Sequence, residues 1–230
     1  MSTFFERLQL ATRPSREAFL DIPIIGQGLK GEINKDTYVA FLAQAYHHVK
    51  HTVPLLMSCG SLLPMEKEWL REAVAEYIEE ETGHQEWILN DIQACGGDKE
   101  MVRVSTPLPA TELMVAYAYD SIQRINPVSF FGMVLVLEGT SVQLATNAAS
   151  NLQVSLQLTK QAFTYLSSHG ALDISHMDFF AKLMNRLDDE SDQRSVIHMA
   201  NMMYQLYGNV FRSLMGQVSE PAQSTVEKST

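Results

Sequence analysis

Apolar positions recur at helical intervals along almost the whole chain. No apolar–polar alternation bounded by turn residues stands out. Asn34-Lys-Asp-Thr reads as a helix start, following a glycine-rich connector from Ile25 to Gly31. The pattern then predicts a helix through YVAFLAQAYHHVKHTVPLLMSCG, kinked at Pro54 and stopped at Gly60. Pro64-Met-Glu-Lys-Glu places proline and acids in the first turn of another helix, predicted to run unbroken to Cys95-Gly96-Gly97.

After a loop over 102–109, the spacing predicts a short helix over 111–124, a break at Asn126-Pro127 and an apolar helix from Val128 to Ala149. Further helices are expected over 151–168, 173–187 and 191–215. The breaks fit one all-α bundle of seven or eight helices over residues 1–217. Residues 218–230 form a polar tail expected to fray. No internal repeat or glycine-rich phosphate loop is visible.

Composition narrows the function classes. With 230 residues, 46% hydrophobic and 19% charged, the chain can bury a substantial core. Its net charge of −10 and the absence of any Lys/Arg block argue against a nucleic-acid partner and give no polybasic attraction to an anionic membrane. The apolar run from Val128 to Leu137 is well short of the ~20 residues of a membrane helix. The charged N-terminus lacks the apolar core of a signal peptide. Cys59 and Cys95 are too few and too isolated for a disulfide framework or a thiolate metal site. A cytoplasmic protein with reduced thiols is expected.

Four constellations could carry chemistry. His169, Asp173 and His176 stand at i, i+4 and i+7, one stripe of a helix, and form a mixed N/O set suited to iron, zinc or manganese. Glu81 and His84 stand at i, i+3, the interval by which helical bundles offer a carboxylate and an imidazole to a shared metal centre; a solvated acidic face suits Glu79 and Glu80. Glu138 lies inside the apolar run Phe130-Phe-Gly-Met-Val-Leu-Val-Leu. A buried charge there needs pairing, protonation or a metal. His47, His48 and His51 crowd one helix, with His47 and His51 on a common face. Tyr77, Trp87, Tyr117, Phe130, Phe131 and Tyr165 are candidates for an apolar substrate pocket or for plain core.

Taken together, Glu81-x2-His84, Glu138 and His169-x3-Asp173-x2-His176 resemble the heme-oxygenase-like di-iron oxidases, whose superfamily also holds thiaminase II, pyrroloquinoline-quinone synthase C and heme oxygenase. The resemblance spans roughly residues 35–185 and implies a seven-helix bundle around a central cavity. It implies two irons held by Glu81, His84, Glu138, His169, Asp173 and His176. With O₂ as co-substrate, they would serve oxidation of a small amine, amino acid or fatty acid.

A further carboxylate found in several relatives is missing. Its places hold His47 or His48 on one helix, and Val74 and Tyr77, with Glu76 nearby, on the other. The sister branches imply an alternative, a metal-free catalyst or small-molecule binder on the same fold. The segment before Glu138 has no cysteine such as thiaminase II uses, and the first histidine, His47, comes too late for a heme ligand. Arg124 and Tyr165 are open to a role of the quinone-synthase kind. A homodimer is the expected assembly.

Overall fold

The computed structural model describes residues 2–217, without the side chains of 169–175, 216 and 217. Among the described residues the regular structure is entirely helical. The expectation of an all-α bundle is met, with more segments than the sequence pattern separates.

Two helices precede the first expected one. Thr3 and Glu6 form a reciprocal capping box that starts α1 (Phe4–Leu20), satisfying amides that a helix start otherwise leaves without acceptors. The expected connector is itself helical, α2 (Pro23–Lys30), with proline at its first turn. Ile24 and Ile25 of α2 are buried, which outweighs the poor helix propensity of its glycines.

Asn34 caps α3 (Lys35–Val49) by accepting from Thr37 N at 2.8 Å, as expected. The predicted kink at Pro54 becomes a break at Lys50–His51, after which α4 (Thr52–Leu62) begins. The reason is local. A proline interrupts the helix toward the carbonyl four residues before it and is tolerated in a first turn, which is where Pro54 now sits.

The long helix expected from Pro64 to Cys95 is also broken. α5 (Glu68–Glu81) ends at Thr82, and Gly83 adopts φ 97° before α6 (His84–Ala94) begins. That conformation is strained for any residue with a Cβ, so glycine here marks a change of direction and not a weakened helix interior.

A short α7 (Lys99–Val104) leads to α8 (Pro109–Asp120), which ends in a π-helical turn, Ser121–Ile125. The expected break at Asn126-Pro127 follows. Asn126 starts a single 3₁₀ turn (Pro127–Ser129) by accepting from Val128 N. α9 (Phe130–Ser155) then runs past the expected stop near Ala149. The break falls instead at 156–163, where Gln157 has φ 54°.

α10 (Thr164–Met184) carries the His169 motif within one continuous backbone helix, and α11 (Glu190–Gln217) closes the bundle. α9 packs against α10 and α11, and α1 lies along α11. Among the described residues one helical stretch, Pro127–Ser155, is apolar and long enough to cross a membrane by composition. It is the bundle's central helix, with most of its apolar window buried.

Close packing fixes the crossing of α9 and α11. A Cβ on Gly132 would stand 2.4 Å from the Val196 carbonyl oxygen and 2.7 Å from Ala200 N, so only glycine lets the two backbones meet. The start of α10 is pinned from two sides. The Tyr38 hydroxyl of α3 donates to Ala162 O at 2.8 Å. Asp91 of α6 accepts from Thr164 N at 3.1 Å and Tyr165 N at 2.8 Å. A capping carboxylate from a neighbouring helix satisfies orphan amides and opposes the helix dipole.

Candidate metal centre and substrate cavity

The helices enclose an apolar cavity reaching from α2 and α3 across α5, α9 and α10 to α11. Its walls are mainly Ile, Leu, Val and aromatic side chains, among them Phe41, Phe130, Tyr77 and Tyr207. Two carboxylates, Glu81 and Glu138, face this space with His48, and no lysine or arginine lines it among the described residues. Glu81 and Glu138 are each only 9% exposed and His48 3%, so little water screens them.

The break at Gly83 sets the geometry of the first acid–imidazole pair. Glu81 closes α5 and His84 opens α6, so they are not one turn apart on a continuous helix, yet His84 Nδ1 lies 3.0 Å from Glu81 Oε2. The His84 ring also lies against Trp87, with centroids 4.0 Å apart. A second pair spans two helices. His176 Nε2 of α10 lies 3.2 Å from Glu80 Oε2 of α5, and its ring stands edge-on to Tyr77 at 6.3 Å. Glu79 and Glu80 are exposed, as expected of a solvated face, but Glu80 reaches inward to His176.

Of the two histidines considered in place of the missing carboxylate, His48 lines the cavity, its ring edge-on to Tyr207 at 5.7 Å. His47 lies elsewhere. Its Nε2 is 2.9 Å from Ser105 Oγ, and its Nδ1 accepts from Lys50 Nζ at 3.2 Å. Burial, then the charges of Lys50 and His51, push the His47 imidazole down to about 4. A neutral ring with Nδ1 accepting must carry its proton on Nε2, so His47 donates to Ser105 and cannot serve as the base of a serine nucleophile. Val74 is buried and Glu76 exposed, so α5 supplies no further inward carboxylate at those positions. His169 and Asp173 lie, as side chains, outside the described residues.

Of the pocket candidates, Tyr77, Phe130 and Tyr165 line the cavity. Phe131 is turned the other way, into the core against Phe180, because neighbours on a helix point about 100° apart. Tyr117 faces a separate cleft and Trp87 backs His84. Arg124 is exposed and paired with Asp120, away from the cavity. Cys59 and Cys95 are free and buried, with burial pushing their thiols up to about 12 and about 11. Neither is an activated thiolate. The sequence reading missed Thr37, Thr140, Ser141 and Tyr207 on the cavity wall. Tyr207 alone had a signal, an aromatic on the apolar stripe of the last helix.

The donor types suit iron. Two carboxylates and a histidine line one apolar cavity, and His84 and His176 stand in acid–imidazole pairs with Glu81 and Glu80. Among the described residues, however, no three such side chains are grouped closely enough to hold a metal ion by themselves.

Residues 39–208 match the family of iron-containing redox enzymes. The chain belongs to that family. Its fold is that of the heme-oxygenase-like superfamily, as the solved structures show. A domain of unknown function with a heme oxygenase-like fold from Shewanella denitrificans is 24% identical, at a TM-score of 0.83 with 93% of each chain covered. A TenA homologue from Pseudomonas syringae is 11% identical, at 0.76 with 93% of each chain covered. Heme oxygenase-1 from the cyanobacterium Synechocystis, in complex with heme, is 12% identical, at 0.76 with 94% of each chain covered. No curated protein matches the sequence. Family membership supports an enzymatic role.

Proposed function

We propose that this family member is a non-heme iron oxidase or oxygenase acting on a small, largely apolar organic molecule held in the central cavity. The observation that carries the reading is that Glu81 and Glu138 both line one apolar cavity with no lysine or arginine among its described lining residues, in a chain of the iron-containing redox enzyme family. Glu81, His84, Glu138 and His176 would hold the metal, together with His169 and Asp173 as the resemblance implies, and His48 stands nearest to the missing carboxylate's role. When bound, iron would supply activation of O₂.

The chain's own residues do the rest. The apolar wall formed by Phe41, Phe130, Leu137 and Leu144 takes up substrate and excludes water. The hydroxyls of Tyr77, Tyr165 and Tyr207 are the polar handles near it, able to orient a substrate's polar end. Glu80, exposed on α5 and 3.2 Å from His176, is placed to hold that imidazole's orientation as carboxylates do for ligating histidines.

A second reading has observations of its own. Glu81 and His84 already satisfy one another at 3.0 Å, no three-ligand group forms among the described residues, and a TenA homologue shares the fold. These favour a metal-free catalyst or small-molecule binder in which the same pair moves a proton.

Metal analysis of protein expressed with ferrous iron and purified without chelator separates the two. The iron reading expects at least about one equivalent, lost in Glu138→Ala and His176→Ala. Less than about half an equivalent in the unaltered protein would sink it and leave the metal-free reading.

A further inference from the structure

A second concavity lies between the first turns of α11 and the turn that joins α8 to α9, and it shares no residue with the central cavity. Its floor contains Ser121, which opens the π-helical turn, and Ser129, at the start of α9. Both are buried, 2% and 3% exposed, and neither hydroxyl oxygen has a hydrogen-bond partner among the described residues. Ser129 does not cap α9 through its side chain.

Two buried hydroxyls without partners in one cleft are unusual, because folded proteins pair nearly all such groups. Ser121 lies on the widened backbone of the π turn, an irregularity that recurs at functional sites, and Ser129 closes the 3₁₀ turn that follows it. Arg194, Ser195 and His198 face the same cleft from one side of α11, and Tyr117 faces it from α8. Arg194 supplies positive charge. Its partner Glu190 sits four residues away at 3.3 Å, with both side chains mostly exposed, and so is a weak competitor.

We propose that this cleft binds a small oxyanion, the carboxylate or phosphate group of a soluble molecule. Arg194 is the cation, and Ser121, Ser129 and Ser195 are the hydroxyl donors. The chemistry follows from the donor set. Guanidinium donates only, hydroxyls can turn their protons toward an acceptor, and an anionic oxygen accepts from several donors at once. The site is independent of the iron reading, since none of its residues belongs to the proposed metal set.

The test uses the full chain with inorganic phosphate and acetate as probes, titrated at fixed ionic strength while the His198 ring resonances are followed by NMR. A saturable shift with phosphate alone or acetate alone identifies the preferred anion. A shift that chloride reproduces reflects screening only and overturns the proposal, as does no saturable shift with either probe. Arg194→Gln is expected to weaken binding about tenfold or more, and Glu190→Gln to strengthen it by removing the competing carboxylate. Ser121→Ala and Ser129→Ala should weaken binding while leaving the melting temperature unchanged or higher, because a hydroxyl without a partner in the free protein stabilises nothing. A fall in melting temperature typical of a lost internal hydrogen bond would overturn the assignment of these serines. Should either serine variant fail to fold, the two exposed α11 variants still decide the matter.

Discussion

Asp91, fully buried in α6, accepts the Tyr165 amide at 2.8 Å and the Thr164 amide at 3.1 Å, and so joins the helix that begins with His84 to the helix that carries His176. Tyr165 itself lines the cavity. The helix that supplies His84 and the helix that supplies Tyr165 are therefore held together by one carboxylate as well as by apolar packing.

Burial outweighs those two amide bonds and raises the Asp91 carboxyl from 3.8 to about 6. A folded-state pKa above the unfolded one means that the native state binds the proton more readily. This group's contribution is then fully present below pH 3.8 and is lost as pH rises toward 6, amounting to about 3 kcal/mol at most. Denaturant unfolding of the protein and of Asp91→Asn across that range should show the falling slope only with aspartate in place. Parallel curves would refute the assignment.

His47 has the opposite sign. Its imidazole, held near 4 against an ordinary 6.5, resists protonation in the native state. The stability it contributes is present above pH 6.5 and lost as pH falls toward 4, by up to about 3 kcal/mol. His47→Gln should flatten that acid limb in the same unfolding measurement. An unchanged limb would mean that other groups govern it.

Gly132 sets how closely α9 can approach α11. Gly132→Ala places a methyl group within 2.8 Å of three atoms of α11, two of them backbone. Backbone cannot yield as a flexible side chain does, so a loss of about 1–3 kcal/mol is expected. Calorimetry should show the melting temperature falling by roughly 2–4 °C per kcal/mol. An unshifted transition would contradict the close crossing.

At Gly83 the backbone has φ 97°, while an added Cβ would meet nothing within 4 Å. The cost of Gly83→Ala is therefore conformational and not steric, about 1–2 kcal/mol. Because the turn brings His84 to Glu81, relaxing it into a regular helix should also lower iron content in the metal analysis. Full iron retention with the expected loss of stability would separate the turn's backbone role from the site.

Substantial parts of this structure were legible along the chain. Asn34 was readable as a cap, Asn126-Pro127 as a break and Glu138 as a buried acid, because each depends on local chemistry or on its immediate apolar neighbours. The helices before Asn34 were missed, since both the charged α1 and the short, glycine-containing α2 are stabilised by what they pack against. Expected helix ends at Cys95 and near Met215 agree with the structure to within about two residues, whereas the breaks at Lys50–His51, Thr82–Gly83 and 156–163 lie inside stretches that read as continuous helix or were divided elsewhere.

By itself, the sequence determined the all-α class and the set of carboxylates and imidazoles, because helical periodicity and ligand chemistry are properties of neighbouring residues. Only the tertiary structure decided which of them share a space. It turned His48 toward the cavity and His47 toward Ser105 and Lys50, although they are adjacent in one helix. It brought Glu80 of α5 to His176 of α10, and it sent Tyr117 to a cleft apart from Tyr77 and Tyr165. The physical reason is that a helix fixes the angle between successive side chains, while the neighbours each one meets are set by crossings such as that at Gly132, between segments far apart in the chain.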